Sequence, residues 1–324
     1  MASADQEVAG VVRAQILFEY FEALFEEKTT DDLEQIDTSC SQWLAEKKDL
    51  SKLEEVIIAF YQILAANPPP EEKVQQFRGH ESTLRSLPAS PQRDLILAAI
   101  LDQLSRLPGP DETGFFALLD ESLALKQAHQ DRHGISINYG SRGDYYQWFR
   151  NRWHGGELDP TAARKWYDKQ EGLAREMGDR AVLAMVTNKL AGLDINAAKQ
   201  CTEANEALGF WRMGLERARW CLRVAVELER EGDIVFAASA TLQAASGFGD
   251  MDAVVHAAQS IARKDVWEVL RMKPDGFLKT VQGVKEALVN RPEDQQPNNW
   301  KEAIQAVQVA EASLQEIVSR RSQT

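Results

Sequence analysis

Between residues 133 and 153, Asn138, Arg142, Tyr146 and Arg150 recur every four residues, the spacing that lines side chains along one face of an α-helix. Tyr145, Phe149 and Trp153 fall on an adjacent apolar stripe, with Trp148 and Arg152 around them. Arginine's planar fork matches a carboxylate bidentately, while tyrosine and tryptophan offer rigid area with a polar tip. These residue types suit a surface that grips the backbone and carboxylates of a peptide. The competing reading packs the rings against the next helix and leaves the polar groups in water.

Other chemistries find less in the sequence. His129 and His133 stand at i, i+4, a spacing that chelates zinc on a continuous helix, but Asp131 breaks the helix between them and no cysteine is near. His154 beside Gly155-Gly156 reads as a solvated loop tip, and His80 and His256 have no evident partners. No phosphate-cradling loop ending in Gly-Lys-Ser/Thr occurs, nor a His-Glu-x-x-His helix or a Gly-x-Ser-x-Gly elbow. Cys40, Cys201 and Cys221 lack any flanking signature for nucleophilic use. The expectation is therefore a non-enzymatic protein with no cofactor or metal. Seven aromatics from Tyr145 to Tyr167 interleave with arginines as on a single-strand nucleic-acid platform. The seven acids between Arg142 and Arg180 largely cancel those charges, which argues against nucleic acid.

Three segments position these residues. ESLALKQAHQDRHGISINYG, QEGLAREMGDRAVLAMVTNKLA and RVAVELEREGDIVFAASATLQA align on Asp131, Asp179 and Asp233, with glutamine or glycine before each aspartate. Each reads as a helix running into a corner from which a fresh helix starts. A helical hairpin cannot bury its apolar stripe alone, so recurrence of this unit implies neighbours stacked into an α-solenoid. The units read as helices 133–153 with 160–177, 180–204 with a helix that follows a turn near Asn205 to Gly209 and runs to 231, and 234–246 with 251–263. Counted from the aligned aspartates, Asn138 corresponds to Val186 and Ala240. Asn188 and Lys189 thus join the candidate partner-binding set out of register, and a clamp repeated at matched positions is not expected.

Before this array, Val8, Val12, Ile16 and Leu24 mark an amphipathic helix and Thr30-Asp31 caps a second one carrying Cys40 and Trp43. Ser51-Lys52-Leu53-Glu54 is a capping box for a third, which ends at Asn67 ahead of Pro68-Pro69-Pro70. Helices 70–87 and 91–107 follow, the latter capped by Ser90 with Pro91 in its first turn. Alternating proline and glycine over Leu107–Gly114 mark the strongest break. The expected organisation is an acidic N-terminal helical region over 1–107, the repeat array over 115–264, and helices over 265–324. The last of these, carrying Trp300, Ile304, Val307, Leu314 and Ile317, closes the array. No stretch alternates with period two over strand length, so the fold class is all-α.

The 324 residues carry a net charge of -13, a balance that repels phosphate backbones and anionic membranes. Most of it lies in residues 1–60, with 14 acids against 5 bases. The acidic face of Glu19, Glu22, Glu26, Glu27, Asp31, Asp32 and Glu34 reads first as a solubilising surface and second as a docking patch for a basic partner. No basic-then-apolar leader opens the sequence and no apolar run reaches the length of a membrane span. An odd, scattered set of three cysteines suits a reduced compartment. A cytoplasmic protein is expected.

Leu173-Ala174-Arg175-Glu176-Met177-Gly178-Asp179-Arg180 resembles the helix junction of tetratricopeptide repeats, in the variety found in bacterial signalling and regulatory proteins. Leu125–Arg132 and Glu229–Asp233 are similar to it more loosely, and Ala245–Asp250 looks like the turn within one repeat. The resemblance spans about 150 residues. It implies a protein-interaction adaptor with a peptide or protein partner in a groove, and no membrane. The alternative from another class is a helical regulator holding a small molecule or nucleotide between its helices, with Trp and Arg side chains stacked on it.

Overall fold

The computed structural model describes residues 38–42, 50–263, 267 and 274–321. The expected first helix, its neighbour's Thr30-Asp31 cap and the acidic face lie outside the described residues. All regular structure within them is helical. In chain order the helices are α1 (Lys52–Ala66), α2 (Pro70–Ser86), α3 (Pro91–Ser105), α4 (Glu112–Ala128) and α5 (Arg132–Asp144). The last continues through a π-helical turn, Tyr145–Phe149, into Arg150–His154. Then come α6 (Pro160–Met177), α7 (Arg180–Gln200), α8 (Ala204–Glu227), α9 (Glu231–Phe248), α10 (Met251–Ile261), α11 (Asp275–Val289) and α12 (Trp300–Arg321).

Local chemistry fixes most of these ends. Ser51 Oγ accepts from Glu54 N–H at 3.3 Å and Glu54 reaches back to Ser51 N–H at 2.7 Å, completing the capping box. Asn67 closes α1 in the left-handed region, ahead of the prolines. Aspartates satisfy the first turns of α4, α5, α6, α7 and α10: Asp111, Asp131, Asp159, Asp179 and Asp250 each accept a backbone N–H three residues on. Residues with positive φ, Gln130, Gly178 and Gly249, stand just before three of them. This left-handed residue ends one helix and the aspartate starts the next. The third aligned corner differs. There the left-handed residue is Glu229 and the residue opening α9 is Arg230, while Asp233 lies inside the first turn and pairs with Arg230 at 2.7 Å.

Two compact units divide after Leu173. In the first, consecutive helices from α1 to α5 pack on one another, and α1 also touches α3 and α3 touches α5. In the second, α7, α8, α9 and α10 pack in sequence and α11 packs on α12. There α7 meets α9, α9 meets α11 and α10 meets α12. The contacts of α1 with α3, α3 with α5 and α7 with α9 are what stacked antiparallel hairpins produce, each covering its neighbour's apolar flank. The chain is an all-α helical-repeat protein with solenoid-type packing inside each unit. The segment expected as a boundary, Leu107–Gly114, joins α3 to α4, which pack together.

The first core gathers Ile57, Tyr61, Phe77, Leu84 and Ile100. The second is built largely from alanines of α9 and α10 around Leu242, Val254 and Ile261, and Trp300, Val307 and Leu314 of α12 close it. A buried ion pair, Asp102–Lys126, links α3 to α4, and the buried Asp194 pairs with the partly exposed Arg217 between α7 and α8.

Candidate functional site

A polar chain runs through the otherwise apolar packing of α3, α4 and α5. Asp102 and Lys126, both buried, form its base, and Ser122 Oγ donates to Asp102 Oδ1 at 2.7 Å. Asn138 Nδ2 donates to the Leu119 carbonyl at 2.9 Å and reaches the same Asp102 oxygen at 3.4 Å. Its Oδ1 accepts from Arg142 Nε at 2.9 Å, and Arg142 Nη2 donates to Asp120 Oδ1 at 2.7 Å. The guanidinium also lies 5.0 Å from the Trp166 ring and 6.0 Å from that of Phe116. Both are cation–π distances. Arg142 is thus held from four sides by α4, α5 and α6.

The register shows how unusual this is. Counted from the helix-opening residues Asp131, Asp179 and Arg230, Asn138 corresponds to Val186 and Ala237, and Arg142 to Leu190 and Thr241, all buried. The repeat places an interior side chain at both positions. Two of its helices fill them with hydrocarbon or a small hydroxyl, whereas α5 puts an amide and a cation there. A buried polar group at a position built for a core residue is the informative deviation.

Around the buried guanidinium sit half-exposed rings. Tyr139 and Trp166 lie 5.8 Å apart, and Lys169 Nζ is 4.2 Å from the Trp166 ring and 5.7 Å from Tyr139. Tyr146 packs on Phe116 at 5.7 Å. Burial pushes the Tyr146 hydroxyl above its ordinary range, with Glu112 adding to the shift. Gly140 and Gly143 let α6 side chains cover α5: a Cβ at Gly140 would meet Gln170 at 2.7 Å, and one at Gly143 would run into the Tyr167 ring. Tyr167 OH donates to Asp144 at 2.7 Å, and burial raises its pKa well above that of a free phenol.

The eight candidate residues separate into groups. Asn138 and Arg142 touch directly, and Tyr146 joins them through Phe116. They point inward from α5, so the four-residue repeat expected to line an open face places its first two members inside. Tyr145 is buried against Phe115 at 4.4 Å, its OH 2.9 Å from His154 Nδ1. His154 Nε2 is 2.9 Å from the Pro110 carbonyl. A carbonyl only accepts, so Nε2 donates to it. The histidine expected to be a solvated loop tip therefore fastens the end of α5 to the segment before α4. Arg150 lies 3.8 Å from Glu112, and Trp153 stacks on Phe149 at 4.2 Å. Asn188 and Lys189 are half-buried on α7, in the second unit.

Asp102, Asp120, Ser122, Lys126, Trp166 and Lys169 were not singled out from the sequence. A signal existed for Asp102, which interrupts the apolar face of α3 between Leu101 and Leu104, and for Trp166 and Lys169, three apart on α6. Among the described residues, no three His, Cys, Asp or Glu side chains gather as a metal ion would need. His129 instead meets Asp94 at 2.9 Å. Among those residues no helix is long and apolar enough to cross a membrane.

No protein family and no curated protein matches the sequence. Among solved structures, the chain is similar to the Rap conjugation gene regulator of the plasmid pLS20 in complex with the Phr* peptide, at 12% identity over 94% of this chain and 96% of that one, with a TM-score of 0.34. It is also similar to the de novo designed helical repeat protein DHR81, at 17% identity over 77% and 90% of the two chains, with a TM-score of 0.24. With TM-scores this low, neither fixes a function or a binding site for this chain.

Proposed function

We propose that this chain is a tetratricopeptide-like, non-enzymatic adaptor that holds a protein or peptide segment on the face formed by α4, α5 and α6. The observation that carries the reading is Arg142. A cation has been set at a core position of the repeat, braced by Asn138 and two rings, with half-exposed aromatics beside it. Stability alone gives little reason for this arrangement, since hydrophobic replacement of a buried ion pair is often neutral or stabilising. Recognition gives one: buried arginines and tyrosine or tryptophan anchors carry most of the binding energy at protein interfaces.

The variant that tests the reading keeps every hydrogen bond of the buried network and removes the Trp166 ring from beside Arg142. Wild type and Tyr139→Ala/Trp166→Ala/Lys169→Ala, both confirmed helical by circular dichroism, serve as full-length baits in an extract of the source organism. A protein recovered by wild type and lost with the variant is the expected result. Equal recovery by both would remove this face from consideration.

A further inference from the structure

The ion pair between Arg142 and Asp120 is lopsided. The Arg142 side chain is 7% exposed and that of Asp120 67%. The cation cannot easily move: Asn138 accepts from Nε, and the Trp166 and Phe116 rings flank the group. Asp120 stands on the solvent side of α4, and rotating its side chain into water would break a single hydrogen bond at 2.7 Å. Arg142 Nη1 meets no hydrogen-bonding partner among the described residues and is not sealed from solvent. The outward edge of the guanidinium, Nη1 with Nη2, is therefore the edge that an incoming carboxylate takes two-pronged, and one of its nitrogens already carries a carboxylate from this chain.

From this we propose that Asp120 is a stand-in ligand: the α4–α6 face binds an acidic side chain of a partner segment, which displaces Asp120 from Arg142 while a neighbouring aromatic side chain packs on Tyr139 and Trp166. The inference rests on the reading of this face as a binding surface and adds the chemistry of its occupant. Charge complementarity decides for an acidic segment. Arg142 and Lys169 both lie against the Trp166 ring, and Asp120 is the acid paired to either of them. A cationic segment would be repelled by that pair of positive charges. A partner carboxylate gains a preformed, desolvated fork, and release of Asp120 into water costs little because it is already mostly solvated. As long as Asp120 holds the site, the apparent affinity falls by the fraction of time the fork is closed.

The probes are two capped dipeptides, acetyl-Asp-Phe-amide and acetyl-Asn-Phe-amide, titrated into the full chain. The readout is the indole N–H resonance of Trp166, assigned by its absence in Trp166→Phe. The acidic probe is expected to shift that resonance saturably and to bind about tenfold more tightly than its neutral isostere, the difference between a charged and a neutral hydrogen bond. Asp120→Asn, an isosteric change at an exposed position, is expected to tighten binding of the acidic probe and leave the neutral one unchanged. Equal binding of the two probes would overturn the carboxylate assignment while leaving the face as a binding surface. A looser or unaltered acidic probe with Asp120→Asn would overturn the stand-in role. If neither probe moves the Trp166 resonance the inference also fails, and the extract experiment above then decides separately whether the face binds a protein.

Discussion

Arg142 and Asn138 stand where α7 and α9 carry Leu190 with Val186 and Thr241 with Ala237, and that substitution of kinds has a measurable consequence. Arg142→Leu removes a cation, releases Asp120 to water and strands the buried Asn138 amide oxygen. Asn138→Val leaves the buried Arg142 Nε without its partner. Each single change should cost about 1–3 kcal/mol in urea denaturation, the penalty for orphaning buried polar groups. The double variant replaces both with the hydrocarbon that α7 uses at these positions, so it should be less destabilised than the sum of the singles. Strict additivity would mean that the two side chains are not one unit. His80, on α2, gives a second handle. Burial lowers its pKa below the ordinary 6.5, so the folded chain disfavours the imidazolium and the unfolded chain binds the proton more readily. Its contribution is then complete above the unfolded value and is lost as the pH falls through the folded one. Relative to wild type, His80→Gln should show a smaller loss of melting temperature between pH 7 and pH 5; identical losses would contradict the assignment.

At the scale of elements, the glycines of α5 and α6 are not equivalent. A methyl group at Gly143 would collide with the Tyr167 ring, whose hydroxyl is tied to Asp144 and Gln147 and so cannot swing aside freely. Gly143→Ala should lower stability by about 1–3 kcal/mol through overpacking. Gly172, further along α6, has open space around its Cβ direction. There alanine should raise stability by about 0.5–1 kcal/mol through helix propensity. Chemical denaturation of the pair checks both signs. The helix ends were largely legible in the sequence, because proline, asparagine, aspartate and glycine act through neighbours a few residues away: α6 opens at Pro160 and α7 at Arg180 as read. The third corner misled because Gly232 precedes Asp233 as Gly178 precedes Asp179, while the backbone makes that turn at Glu229. The π-helical turn at Tyr145–Phe149 left no trace, since one residue of slack hardly disturbs an apolar pattern read at helical spacing.

For the molecule as a whole, recurrence of hairpins was legible and the orientation of α5 within its unit was not. Periodicity sorts a helix into polar and apolar faces, but α5 is flanked by α4 and α6, and its interior positions hold the polar Asn138 and Arg142. A polar residue at helical spacing therefore reads as outward-facing. The partners that make such residues tolerable inside, Asp102, Ser122 and Lys126, come from helices distant in sequence, and no local pattern connects them. The central claim is that the α4–α6 face is where this protein meets another. It is tested most directly by placing a photo-crosslinking benzoylphenylalanine at Ala117, exposed on α4 one turn before Asp120, of the full-length chain in cells of its source organism, with Arg212, exposed on α8, as the comparison position. The account predicts a discrete crosslinked protein from position 117, absent from 212 and lost when Trp166→Ala is added. Equal crosslinking at both positions, or a crosslink at 117 that survives loss of Trp166, would contradict it.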